Sequence, residues 1–280
     1  MPRFSMSPSY LLLVLSLSAF TEELPITLTA AAEAGNTELV RALIKNGADV
    51  NAADSDGQIP LIAAITGGNV DSVRALLEGG AAVRTVTKTG RIPLLEAVTQ
   101  GNPELVDALL KKGADVNVSD ATGTALHRAV EQANRPMGEK LIAAGARLES
   151  RDEKGSTPLM IAVEAGNATM SELLLLKGAN ANTRSFDERH VLVIAVQAGN
   201  AAVCRILLHY GADPNVTSEG GNAILIEATA TGQTALAQTL LDKGADLHAV
   251  DGEGNTALAI AQSAGHKELV DVLKRAGARE

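Results

Sequence analysis

The dipeptide Gly-Ala recurs at Gly47, Gly80, Gly113, Gly145, Gly178, Gly211, Gly244 and Gly277, at intervals of 33, 33, 32, 33, 33, 33 and 33 residues. A fixed period of this size marks a chain built from small stacked units, because a segment of 33 residues cannot bury an apolar face by itself. Around each Gly-Ala the wording is similar, as in NPELVDALLKKGADVN from Asn102 to Asn117 and AAVCRILLHYGADPN from Ala201 to Asn215. Leu105, Val106, Leu109 and Leu110 fall at helical spacing, which predicts a helix with one buried face that stops at the Gly.

Upstream in each unit lies a second, shorter helical run, such as GSTPLMIAVEAGN from Gly155 to Asn167. There a Thr-Pro pair opens the helix; Pro at the first helical position sacrifices no hydrogen bond and brings a suitable φ. A further glycine closes this run at Gly35, Gly68, Gly101, Gly166, Gly199, Gly232 and Gly265. Each unit is therefore expected to be helix, tight turn, helix and extended turn. The core must be aliphatic, since the chain has no Trp, two Tyr and three Phe.

These motifs resemble the ankyrin repeat over Leu24 to Glu280, with the closest matches at Gly155 to Asn182 and Gly90 to Asn117. The resemblance implies an all-α repeat fold, a curved solenoid of helix-turn-helix units whose extended turns project as β-hairpin fingers. Eight consecutive repeats are expected within one domain, residues 21–280, with units near 24–52, 53–85, 86–118, 119–150, 151–183, 184–216, 217–249 and 250–280. Departures from the family pattern carry expectations of their own. The Thr-Pro-Leu-His opening is complete nowhere, so the ties that its Thr and His make between neighbouring turns should be weaker here. The fourth unit is a residue short between Gly123 and Thr124 and reads QANRPMGEK, Gln132 to Lys140, where its neighbours have a Gly-Asn turn; Pro136 must sit in the first turn of the second helix or shift it, and a local irregularity is expected there.

The formal charge of −9 disfavours nucleic acid as a partner. No two of the five histidines share a repeat position, so stacking does not align them as ligands, and none of the metalloprotease, nucleophile-elbow or phosphate-loop motifs occurs. No catalytic residue, cofactor or metal is expected. The Asp-x-x-Gly turns, such as Asp54 to Gly57 and Asp251 to Gly254, read as Asp-anchored turns rather than calcium loops. Cys204 occupies the slot of Val40, Val73, Val106 and Val270 and reads as a buried, inert thiol. The Asn-x-Ser/Thr sequons at Asn117, Asn167 and Asn215 read as turn residues.

The resemblance implies a monomeric, non-catalytic protein that binds another protein through finger tips and a concave first-helix face. A regulatory enzyme subunit and a structural spacer are the alternatives. Partner-contacting residues are expected at Lys88 and Arg91, and in RSFDERH, where Phe186 stands at a finger tip with Arg184 and Arg189 beside it. Arg151 holds the slot of Arg184 one unit earlier. The same residues also allow Phe186 to fold back over the neighbouring finger while the arginines pair with Glu153, Asp187 or Glu188.

The repeat leaves Leu11 to Phe20 unassigned, a stretch of ten residues without charge. Residues 1–20 have the layout of a secretory signal: Arg3, a short apolar run, then Ser16 and Ser18 as small residues before Thr21-Glu22-Glu23. An exported, periplasmic or secreted protein is expected on that reading. An uncleaved anchor, which would bring a membrane into contact, and a helix capping the first repeat are the competing readings, with a cytoplasmic location as the alternative.

Overall fold

A computed structural model describes residues 27–279, so the apolar stretch Leu11 to Phe20 lies outside the described residues. Sixteen helices appear among them, in repeated helix-turn-helix pairs, divided between two compact lobes that meet in sequence at Arg91 and Ile92. No described helix is long and apolar enough to cross a membrane.

The N-terminal lobe holds α1 (Leu28–Glu33), α2 (Thr37–Lys45), α3 (Pro60–Thr66) and α4 (Val70–Glu78). α1 packs on α3 and α2 on α4, so successive pairs lie in register. Ile62, Ile65, Val73 and Leu76 are fully buried at that seam. The Asn69 side chain donates to the carbonyls of Ala32 and Glu33 at 3.1 and 2.8 Å, satisfying the end of α1 from the next pair.

The C-terminal lobe repeats the theme. Its first helices are α5 (Pro93–Thr99), α7 (Ala125–Glu131), α9 (Pro158–Glu164), α11 (Val191–Gln197), α13 (Ile224–Ala230) and α15 (Ala257–Ser263). Its second helices are α6 (Pro103–Lys111), α8 (Arg135–Ala143), α10 (Ala168–Leu176), α12 (Ala201–His209), α14 (Thr234–Asp242) and α16 (Lys267–Arg275). Each first helix packs on its own second helix and on the next first helix.

One pair shows why the sequence folds this way. The Thr157 hydroxyl accepts the Met160 N–H at 3.3 Å and Pro158 begins α9; Asn167 caps α10 by accepting the Met170 N–H at 3.0 Å. Between them Gly166 takes φ 65°, a conformation open to Gly without a Cβ penalty. Beyond α10 the Ala179 N–H reaches back to the Leu174 carbonyl at 3.0 Å, closing the helix in the manner of a left-handed C-cap.

Asparagines then tie pair to pair. Asn182 donates to the Gly211 carbonyl at 3.0 Å and accepts the Asp213 N–H at 2.8 Å, and Asn215 does the same toward Gly244 and Asp246. Asn117 makes the equivalent bonds to Gly145 and Arg147, so the sequon asparagines at 117 and 215 are held as structural residues, as Asn167 is by its cap. In the fourth unit Glu149 stands in the Asn slot and its carboxylate accepts the Asn180 N–H at 2.8 Å.

The fingers carry less strand than the expected β-hairpins. β1 (Ser119–Asp120) and β2 (Gly123–Thr124) form the one paired ladder among the described residues, and three further fingers hold single bridges. Elsewhere an Asp anchors the turn: Asp54 accepts the N–H groups of Asp56 and Gln58, and Asp152 those of Lys154 and Ser156.

The irregularity expected within Gln132 to Lys140 is present. Pro136 sits in the first turn of α8, where its missing N–H would have had no intrahelical partner, and the helix keeps its nine residues. The distortion lies at Ala133, whose φ of 52° fills a turn position given to Gly in most pairs. The tie expected to be weak is present in this unit. His127 Nδ1 accepts the Thr124 N–H at 3.1 Å, which leaves the proton on Nε2 to donate to the Ser156 carbonyl of the next finger at 3.1 Å.

Cys204 is fully buried, and burial pushes its thiol up to about 12, matching the inert core cysteine read from its slot.

Burial holds His127 below the ordinary histidine value of 6.5. The unfolded chain then takes up the proton first as pH falls, so this stabilisation is complete above that value and is lost on acidification below it. Urea midpoints are expected to fall between about pH 7 and pH 5.5, and to fall less steeply in His127→Asn.

Candidate partner-binding site

The finger from Arg184 to His190 lacks both residues that shape most of the others. Ser185 stands where Asp152 anchors the previous finger, and Glu188 stands in the slot of Gly57, Gly90, Gly155, Gly221 and Gly254. The turn closes all the same: the Ser185 N–H reaches the Arg189 carbonyl at 3.0 Å, and the Glu188 N–H reaches the Ser185 carbonyl at 3.1 Å. Ser185 Oγ substitutes in part for the missing Asp, accepting the Arg189 N–H at 3.2 Å and donating to Asp187. That bond holds the exposed Asp187 carboxyl below its usual range. Glu188 adopts φ 61°, a left-handed conformation that costs a residue with a Cβ on the order of 1 kcal/mol.

Phe186 at the tip is 67% exposed, above the other large apolar residues at the surface of the described chain. It folds back over the preceding finger, where its ring lies against Gly155 so closely that a Cβ there would collide with it. Arg151 approaches the same ring, with its guanidinium carbon 5.6 Å from the centroid, and donates to the Gly155 carbonyl at 2.5 Å. The groove beside them, about 460 Å3, is lined by Glu149, Arg151, Asn180, Asn182, Arg184 and Phe186 among others.

Arg184 pairs with Glu188 at 3.1 Å, whereas Arg189 pairs with Asp187 at 2.8 Å and with Glu219 of the next finger at 3.2 Å. Glu153 takes no part in these pairs. Arg151 forms no ion pair among the described residues. His190 opens α11 with its Nδ1 buried and unpartnered; burial, then the Arg184 charge, lower its pKa. No group of three or more His, Cys, Asp or Glu side chains is placed to hold a metal among the described residues.

The structure thus gathers Arg151, Arg184, Phe186 and Arg189 on two consecutive fingers. Lys88 and Arg91 belong to the N-terminal lobe and share its last finger; Lys88 is exposed, and Arg91 donates to the Thr66 hydroxyl at 2.8 Å. Three features went unread in the sequence: the seat that Gly155 makes for the ring, the reach of Arg189 to Glu219, and the strained Glu188. The last had a visible signal, a finger without its glycine.

A family profile described as ankyrin repeats in three copies matches residues 28–120, 126–218 and 192–279. The chain belongs to the ankyrin repeat family. Among solved structures, the human ASB11 ankyrin repeat domain is similar at 28% identity and a TM-score of 0.64, covering 78% of this chain and 98% of that one. No curated protein matches the chain. Ankyrin repeats are generally protein–protein interaction modules and are typically non-enzymatic.

Replacing Glu188 by Gly is expected to raise stability by up to about 1 kcal/mol, because the turn keeps its backbone bonds and loses its strain, while the exposed pair with Arg184 that is given up contributes little. Gly155→Ala is expected to lower it, since that position has φ 78° and the Phe186 ring fills the space. Urea denaturation of both variants measures the two shifts.

Proposed function

We propose that this chain is a non-catalytic ankyrin protein of eight repeats that holds a partner protein on the finger spanning Arg184 to His190. The observation that carries this reading is Phe186, an aromatic kept 67% exposed yet fixed in place by Gly155 beneath it and Arg151 beside it. Aromatic and Arg side chains fixed in this way lose little conformational freedom on association and are enriched at interface hot spots. The core residues of each pair lie elsewhere, so the finger tips are free to differ from unit to unit.

The apolar run Leu11 to Phe20, with Arg3 before it and small residues after it, supports an exported protein that works in the periplasm or outside the cell. N-terminal sequencing of the mature protein tests that part; a start at Met1 or Pro2 would contradict it.

Immobilised protein titrated with lysate is expected to retain a partner saturably. The double variant Phe186→Ala with Arg184→Ala is expected to lose at least about tenfold in affinity at unchanged melting temperature, as loss of a hot spot does. Equal retention by the double variant would overturn the finger assignment.

A further inference from the structure

The chemistry of the groove beside Phe186 narrows what its occupant must be, granted that the finger from Arg184 to His190 is the binding finger. Both carboxylates that line it are engaged: Glu149 accepts the Asn180 N–H at 2.8 Å and Glu188 pairs with Arg184 at 3.1 Å. Asn182 is committed to Gly211 and Asp213. Arg151 differs. One of its terminal N–H groups goes to the Gly155 carbonyl, and no carboxylate of the described chain answers its charge. The guanidinium is nonetheless oriented, held by that bond and by the Phe186 ring. It therefore presents the open part of a planar donor fork, and planar forks match carboxylates in paired, charge-assisted hydrogen bonds. Beside it the outward part of the Phe186 ring offers apolar surface.

We infer that the groove between these two fingers takes a segment of the partner protein carrying an Asp or Glu carboxylate next to an aromatic or aliphatic side chain. The carboxylate bonds to Arg151, and its apolar neighbour covers Phe186. The chain as a whole, at −9, gives such a segment no long-range attraction, so recognition rests on the local fork and ring.

A phage-displayed library of random dodecapeptides panned on the full chain tests this. Peptides whose binding is lost on Phe186→Ala are expected to be enriched in Asp or Glu within two positions of an apolar residue. A synthetic peptide of the leading sequence is expected to bind Arg151→Gln at least about tenfold more weakly, with Arg151→Lys in between because it keeps the charge and loses the fork. Melting curves confirm that the variants fold. Peptides that need Phe186 but carry no acid, or that bind Arg151→Gln as well as the parent, overturn the carboxylate inference and leave the binding finger standing. If no selected peptide depends on Phe186, both readings fall.

Discussion

Each lobe of this chain depends on the burial of one helix pair against the next. No described helix exceeds nine residues, a length at which an isolated helix is unstable in water. Leu, Ile, Val and Ala on the facing sides supply the stabilisation, and the backbone groups at the short helix ends must then be satisfied by neighbours. That is the task of Asn69, whose amide reaches the preceding pair, and of Asn117, Asn182 and Asn215, whose amides reach the following one. The same arrangement leaves the finger tips outside the core, where a side chain can change without opening a cavity.

The elements that repeat were the legible ones. Gly-Ala marked the end of every second helix, Thr157-Pro158 marked a helix start, and Cys204 could be placed in the core because its slot holds Val in four other units. Periodicity reports what the units share, and the candidate site is made from what they do not. Phe186 finds its seat on a glycine that belongs to the preceding finger, and Arg189 bridges to Glu219 of the following one. Such contacts join different turns of the repeat and have no signature within one turn. The fourth unit was legible by comparison with its neighbours: Gln132 to Lys140 lacks the turn glycine they share, and the irregularity sits there, at Ala133, while Pro136 occupies the first turn of its helix, where it meets no bond to break.

The finger from Arg184 to His190 departs from the pattern in a consistent direction. It gives up the Asp anchor, the glycine at the left-handed position and the Thr at the helix opening: Ser185 replaces the Asp in part, Glu188 takes a strained φ, and His190 Nδ1 is left without a partner. What it gains is an exposed ring and two ion-paired arginines, Arg184 and Arg189. These departures are the grounds on which this finger is proposed to meet a partner.

The most direct test exchanges that finger for its regular neighbour. Ser185 to Arg189 is replaced in the full chain by the Asp-Glu-Lys-Gly-Ser sequence found at Asp152 to Ser156, and partner affinity is measured beside the urea midpoint. The account predicts a more stable protein that no longer holds its partner. A chain that binds with undiminished affinity after the exchange would contradict it.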